Sequence, residues 1–529
     1  MKIIGASIGE CVHIQGVYNA LEYASRRGHE THFLGPALNA DQLIQTIKTE
    51  RPDAVALSYR LTPENGRRVM DQFIERLTAE GLTDIDYLFG GTEPVVEQAN
   101  QTNFFTLVVD GSNVQEYESY LGEANSDEQK TPAQNIVSRI KEQNFYPLLR
   151  THYGNPSVDQ TIKGIESISE SGLLDIISLG TDQDAQANFF HPERQNPNAK
   201  GAGGVPVRSA QDFRRLFEAT RRGNYPLMRT YAGTDDLVEL AELYKETINN
   251  AWSAVPIFWF NQMDGRGPHS LEESIQEHFN LIKWNAENNI PVEILESHHW
   301  GMRLAHNTLQ VATAVLGAQI AKTLGVKNYI HQYMFHLPPQ SSFYSELAKM
   351  TAIKEMLQEM EGDDFKIYHQ TRAGLPSFPH DMEAARGQLA SSTQLQMQLS
   401  PDIIHVVNFS EPHHAATAED VIASAKIVNQ VIDNSRNPPD ATQEIRVKTT
   451  REQLQIDART LLNHIHSHGD ISDPTYLASL VYDGVLDAPM LANNPFARGQ
   501  LRTTSFGIST AIDKDGLTIT EQERLEALK

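Results

Sequence analysis

Short apolar runs alternate with stretches of helical periodicity along almost all of this 529-residue chain, and that alternation constrains the fold more than any other feature. Repeated strand–helix–strand units build parallel sheet, because each helix makes the crossover and covers one face. The repeat changes length part-way along. In residues 1–120 strands are expected at Lys2–Ile8, Glu30–Leu34, Ala54–Leu57, Tyr87–Phe89 and Thr106–Val109, with helices at Val17–Arg27, Ala40–Glu50, Asn65–Ala79 and Pro94–Gln101. This pattern predicts a doubly wound, flavodoxin-like (Rossmann-like) sheet. Residues 121–138 are polar and aperiodic and read as a linker.

Residues 139–440 alternate more slowly. Strands are expected at Asp175–Gly180, Leu227–Ala232, Val255–Phe260, Val292–Ser297, Asn328–His336, Phe365–Arg372, Leu389–Ser392 and Ile403–Ser410, separated by amphipathic helices. Eight such strands predict a (β/α)8 TIM barrel. Residues 441–529 read as an extension packed on it, with a short helix leading into His464-Ile-His-Ser-His468. Those alternating histidines do not all share a helix face, so they read as solvated surface rather than a metal site.

Composition removes several function classes. No apolar run reaches the ~18 residues of a membrane span, and the start of the chain has no basic-then-apolar leader. Lys and Arg number 44 against 68 Asp and Glu, a net charge of −24 that opposes binding to nucleic acid or anionic lipid. A single cysteine, Cys11, excludes an intramolecular disulfide and an all-cysteine metal cluster, and makes the cytoplasm the default location.

Chemistry concentrates in loops at the carboxyl ends of strands, where open α/β sheets and barrels bind ligands. In the first domain these loops are small: Gly9-Glu10-Cys11-Val12-His13-Ile14-Gln15-Gly16, Ser58-Tyr59-Arg60-Leu61, Gly90-Gly91-Thr92 and Asp110-Gly111-Ser112. Four small-residue loops on one edge let a bulky ligand approach the backbone. In the second domain the strand ends are polar: Thr181 to Asp184, Arg229 to Tyr231, Asn261 and Gln262, Ser297 to Trp300, Gln332 and Tyr333, His369 to Arg372, and Asn408 to His414.

His-x-x-Gly after the first strand, Ser-x-x-Leu after the third and Gly-Gly after the fourth resemble the cobalamin-binding domain of B12 enzymes. The resemblance implies cobalamin as cofactor and His13 as the cobalt ligand. It implies that Gly16, Ser58, Leu61, Gly90 and Gly91 line the pocket for the displaced nucleotide tail, with Gly111 on the same edge. Cys11 stands where that family has an aspartate that orients the histidine, and Glu10 is the neighbouring carboxylate that could substitute.

A cobalamin domain followed by a barrel resembles the adenosylcobalamin-dependent glutamate mutase (methylaspartate mutase) family, with its small and large subunits fused. The likeness runs through Gly203 to Arg208, Arg229 to Thr234, Leu324 to Tyr333, Pro412-His413, Gly469-Asp470, Gly484 to Pro489 and Arg498–Ile512. It implies homolysis of a cobalt–carbon bond, radical rearrangement of a small acid, and a homodimer. The implied substrate residues are Arg229 and Tyr333. The pairs His298/His299 and His413/His414 read as acid–base groups or contacts to the corrin amides, the first pair placed with the catalytic residues and the second with the cofactor, and no carboxylate–His spacing marks either as a metal site. Other family arginines fall on Gln186 and the Glu296/Ser297 pair, with Arg303 nearby, and a family carboxylate falls on Gly317. That shortage of cations points away from glutamate, toward a carboxylic or amino acid contacting Trp300, Tyr231 or Tyr333. The alternatives are a corrinoid-dependent methyltransferase, whose usual helical cap has no counterpart before Lys2, and a non-catalytic cobalamin-binding or sensor protein.

Overall fold

The computed structural model describes residues 1–111, 113–122, 132–143, 146–339, 341–435, 439–504 and 508–528. Ser112 and the middle of the expected linker, 123–131, lie outside the described residues. The chain divides into two compact units, Met1–Lys130 and Thr131–Lys529.

The first unit is a parallel sheet of β1 (Lys2–Ile8), β2 (Glu30–Leu38), β3 (Ala54–Tyr59), β4 (Asp86–Gly91) and β5 (Leu107–Val109), in the order β2-β1-β3-β4-β5. The central strands are apolar without alternation because both faces are covered. Ile4, Ala6 and Ile8 pack with Leu43, Ile47, Val69 and Met70 on one side, and Ile3 packs with Val17, Leu21 and Ala24 on the other. Gly5 allows the helix Gln15–Arg26 to lie hard against the sheet, since a Cβ there would sit 2.9 Å from Val17 Cγ2. A further helix, Val114–Leu121, buries Tyr117 and Leu121 against the second face.

The second unit is a parallel barrel of β6 (Leu148–Tyr153), β7 (Ile176–Leu179), β8 (Leu227–Thr230), β9 (Ser253–Val255), β10 (Val292–Ile294), β11 (Asn328–Phe335), β12 (Lys366–Ala373) and β13 (Ile403–Val406). Hydrogen-bonded pairing runs β8-β7-β6-β13-β12-β11-β10-β9. Across the remaining seam Ala251 N donates to Met228 O at 2.9 Å, so the barrel is nearly closed.

The eight-strand expectation holds in number but not in membership. Leu389–Ser392 is helical, inside Met382–Gln396, where Ala385, Leu389, Ser392, Thr393 and Gln396 form one buried stripe. The missing strand is β6. Its sequence, Leu-Leu-Arg-Thr-His-Tyr, hides it, because Arg150 and His152 interrupt the apolar run.

Strand parity then builds the interior. Leu148, Ile176, Leu227, Ile330 and Ile403, with Trp252, form an apolar plug at the amino end, closed by Ile136 from the helix Ile136–Glu142. The linker boundary expected at residue 138 falls inside that helix. Side chains on one face of a strand recur every second residue. Two residues beyond the plug the inward row is therefore Arg150, Ser178, Arg229, Gln332 and His405. The main apolar cores lie outside the barrel, between strands and helices.

The tail holds one 24-residue helix, Ile445–His468, rather than a short one. Val447, Leu454, Ala458, Leu461, Leu462 and Ile465 are its buried stripe, against the helices Asn307–Thr323 and Phe343–Gln358. His464 and His468 do share a face, with ring centroids 4.1 Å apart, while His466 turns to Gln319. Among the described residues no helix is long and apolar enough to cross a membrane.

Candidate functional site

Each unit carries one cavity at the carboxyl edge of its strands, and the two are built on opposite principles. In the first unit a groove of about 540 Å³ opens over β3, β4 and β5, between the helices Gln15–Arg26 and Val114–Leu121, with the loop after β1 at its rim. It is lined by His13, Gly16, Ser58, Gly90, Gly91 and Gly111, with Ala56, Leu88 and Tyr117 among its walls. The space exists because side chains are missing. A Cβ on Gly16 or Gly111 would meet nothing within 4 Å, and one on Gly90 nothing nearer than 3.9 Å. Gly91 differs, since a Cβ there would strike the backbone oxygen of Tyr59 at 2.9 Å. Ser58 Oγ is buried and has no hydrogen-bond partner among the described residues.

His13 is exposed at the mouth of this groove. Its Nδ1 lies 3.9 Å from the buried Cys11 Sγ, a long contact to a weak partner. Glu10 does not serve in its place. Its carboxylate accepts the Tyr59 hydroxyl at 2.8 Å and lies 3.7 Å from Arg68, and the Tyr59 bond holds it below the ordinary carboxylate range. Leu61 is exposed and does not line the groove.

In the barrel a cavity of about 360 Å³ is bounded by buried charge. Arg150 Nε donates to Ser178 Oγ at 2.6 Å and its Nη1 to Gln370 Oε1 at 2.8 Å. Arg229 is 1% exposed, and its Nε and Nη2 have no hydrogen-bond partner. Arg372 and Arg266 complete the cationic lining. Among the described residues the one carboxylate in the wall is Glu293, 4.0 Å from Arg150 and 3.8 Å from Arg229, which also accepts Trp252 Nε1 at 2.7 Å and Gln370 Nε2 at 3.2 Å. Burial, and then the charge of Arg229, pull the Arg150 guanidinium well below its ordinary pKa.

The histidines here are neutral. Burial, reinforced by Arg150, Arg229 and Arg372, brings His152 down to about 3. Burial likewise holds His298, His299 and His405 well below the ordinary value. Burial also pushes Glu296 up to about 8, so near neutral pH it is mainly a neutral acid, accepting from Phe258 N at 3.2 Å and Trp300 Nε1 at 3.1 Å.

Residues 1–114 match the B12 binding domain, and residues 128–517 match the family described as methylaspartate mutase E chain (MutE). The second match spans well over half of the chain. The chain belongs to the methylaspartate mutase E chain family. A B12 binding domain precedes the family's domain on the same polypeptide. No curated protein matches the sequence significantly. Among solved structures, a cobalamin-binding protein from Desulfitobacterium hafniense DCB-2 is 21% identical, with a TM-score of 0.21, over 23% of this chain and 58% of that one. Phospho-2-dehydro-3-deoxyheptonate aldolase from Thermotoga maritima is 12% identical, with a TM-score of 0.33, over 55% of this chain and 70% of the other. The chain thus spans little more than half of the first of these structures.

Within this MutE-family barrel the expected substrate residues divide. Arg229, His298 and His299 line the cavity, as does Tyr231. Tyr333 does not. It lies between Gln332 and Met334, which face inward, so strand parity turns it outward, where its hydroxyl bonds His369 Nδ1 at 2.9 Å. Trp300 is fully buried behind Glu296. Arg303 cannot stand in for an absent arginine, because it lies 3.6 Å from the centre of the Trp259 ring and 3.2 Å from Asp264. His413 and His414 sit after β13, outside the cavity lining, His413 stacked on His380 and His414 bonded to Asp420 at 3.0 Å. Gly317 is a packing glycine, since a Cβ there would lie 2.7 Å from Ile294 Cγ2.

The expected shortage of cations is overturned. Arg150 was hidden with the strand that carries it, and Arg372, noted only as a polar strand end, faces the same space. Glu293, His152, His405 and Arg266 also escaped the sequence. In β6, β8 and β13 the available signal was an Arg or His two positions after the apolar residue that starts the strand: Arg150 after Leu148, Arg229 after Leu227 and His405 after Ile403.

Proposed function

We propose that this chain catalyses an adenosylcobalamin-dependent radical carbon-skeleton isomerisation of a small acid. The observation that carries the reading is Arg229, a buried guanidinium with two nitrogens that make no hydrogen bond among the described residues, in a barrel cavity, on a chain that also bears a B12 binding domain. In this reading His13 is the cobalt ligand, and Gly16, Ser58, Gly90, Gly91 and Gly111 receive the nucleotide tail. The cofactor, when bound, supplies a weak cobalt–carbon bond and through it a hydrogen-abstracting radical. The protein's part is to hold and seal. Arg229 orients a carboxylate in a bidentate pair. The neutral His298 and His299 contact uncharged parts of the acid, and the cavity keeps water from the reacting carbon.

The test is anaerobic reconstitution with adenosylcobalamin, followed by addition of candidate acids under EPR. A substrate-dependent signal from paramagnetic cobalt is expected. A chain that retains no cobalamin at micromolar concentration would sink the proposal. Methyl transfer from methylcobalamin without that signal would replace it with the methyltransferase reading.

A further inference from the structure

The cavity's charge count says more about the acid than its family does. Four arginines line it, Arg150 and Arg229 fully buried, Arg372 partly buried and Arg266 exposed, and among the described lining residues Glu293 is the one carboxylate that faces them. Glu293 is itself engaged, by two arginines, Trp252 and Gln370. The nearby acids are occupied too. Asp182 holds Arg208 at 2.7 Å, Asp264 holds Arg303 at 3.2 Å, and Glu411 caps the turn at Asn408 while its charge supports the Arg372 guanidinium. Glu296 is buried behind the wall among Trp300 and the Phe258 amide.

A ligand ammonium in this space would meet four guanidiniums and no unengaged carboxylate among the described residues. Arg150 and Arg229 are buried and share Glu293 as their counter-ion, which leaves positive charge at a cost that anionic groups on the ligand would relieve. The volume, about 360 Å³, equals the share of roughly a dozen waters in the liquid, so the ligand is small.

We infer that the barrel selects a small acid with two anionic groups and no ammonium group, a dicarboxylic acid rather than an amino acid. The inference rests on the mutase reading only for the fate of the acid, not for its binding. Gln332 gives a way to reverse the preference. Its Oε1 accepts from Gln370 at 3.1 Å, and Gln332→Glu keeps that acceptor while adding the missing negative charge to the wall.

Calorimetric titration of the full chain with glutarate, L-glutamate and butyrate at pH 7.5 decides the matter. Glutarate should bind at least ~10-fold more tightly than either of the others. Gln332→Glu should narrow or invert the gap between glutarate and glutamate, with circular dichroism showing that the variant folds. Glutamate binding as well as glutarate would overturn the inference, as would butyrate matching glutarate, or no binding by any. Adenosylcobalamin EPR separates this from the mutase reading. Glutarate binding with no cobalt signal from any dicarboxylate removes the mutase and leaves the selectivity. A signal raised only by amino acids keeps the mutase and removes the selectivity.

Discussion

The groove of the first unit and the cavity of the barrel are similar in scale and opposite in construction. The groove is made by omission: Gly16, Gly90 and Gly111 leave room, and Ser58 offers one unpartnered hydroxyl. The cavity is made by excess, with arginines and neutral histidines forced together by the barrel wall. A site built from absent side chains tolerates its empty state at little cost. A site built from buried like charges carries a desolvation penalty until an anion arrives. The first therefore depends on shape and the second on charge, and mutations should separate them.

Acid should expose the contrast most strongly. The first unit has three histidines, of which His13 and His32 are exposed. The barrel buries His331 and His278 and half-buries His152, whose folded pKa values are about 3, 4 and 3 in that order. Their folded values lie below the unfolded value of about 6.5, so the unfolded chain takes up protons that the folded barrel refuses. Their contribution is complete above pH 6.5 and is lost as pH falls toward 3–4, by up to about 1.4 kcal/mol per histidine per pH unit. Calorimetry between pH 7 and 5 should show the barrel transition falling first. A first-unit transition that drops in parallel would break the comparison.

Charge at the second site is tested next. Arg229→Gln should weaken binding of the acid by about 3 kcal/mol, roughly 150-fold, with cobalamin uptake unchanged. Loss of cobalamin uptake in that variant would mean the two sites are not separable.

Shape at the first site is tested by two glycines. Gly90→Leu adds bulk where a Cβ meets only open groove, so cobalamin affinity should fall by ~10- to 100-fold while the melting temperature hardly moves. Gly91→Ala drives a Cβ against the Tyr59 carbonyl and should lower the melting temperature instead. Equal effects from both would deny that the groove is an emptied space.

The smallest expected effect concerns His13. Cys11→Asp would put a carboxylate where a thiol now stands 3.9 Å from Nδ1, and second-shell carboxylates typically alter metal affinity about tenfold. Tighter base-off cobalamin binding, read from the visible spectrum, is expected. No change would show that His13 is oriented by its loop alone.

Legibility followed the same division. The first sheet, its five strands and the six groove residues were readable because their signals are contiguous: an apolar strand, then a small-residue loop. Leu61 was misplaced because a motif position does not fix which way a side chain turns. In the barrel the misreadings share one cause. Inward charges break the apolar run that marks a strand, so β6 vanished with Arg150 and His152, while the buried stripe around Leu389 imitated one. Tyr333 was one residue out of phase with the interior, a difference invisible until Gln332 and Met334 are seen to face inward.

By itself the sequence determined the two α/β alternations, the small-residue edge that resembles a cobalamin domain, and the barrel with polar strand ends. These are local properties, each carried within a few consecutive residues. Only the tertiary structure decided which charges meet. Arg150, Arg229, Glu293 and Arg372 come from strands far apart in the chain, and strand parity and barrel closure bring them to one space. Electrostatic energy depends on that distance and burial, neither of which is a property of neighbouring residues.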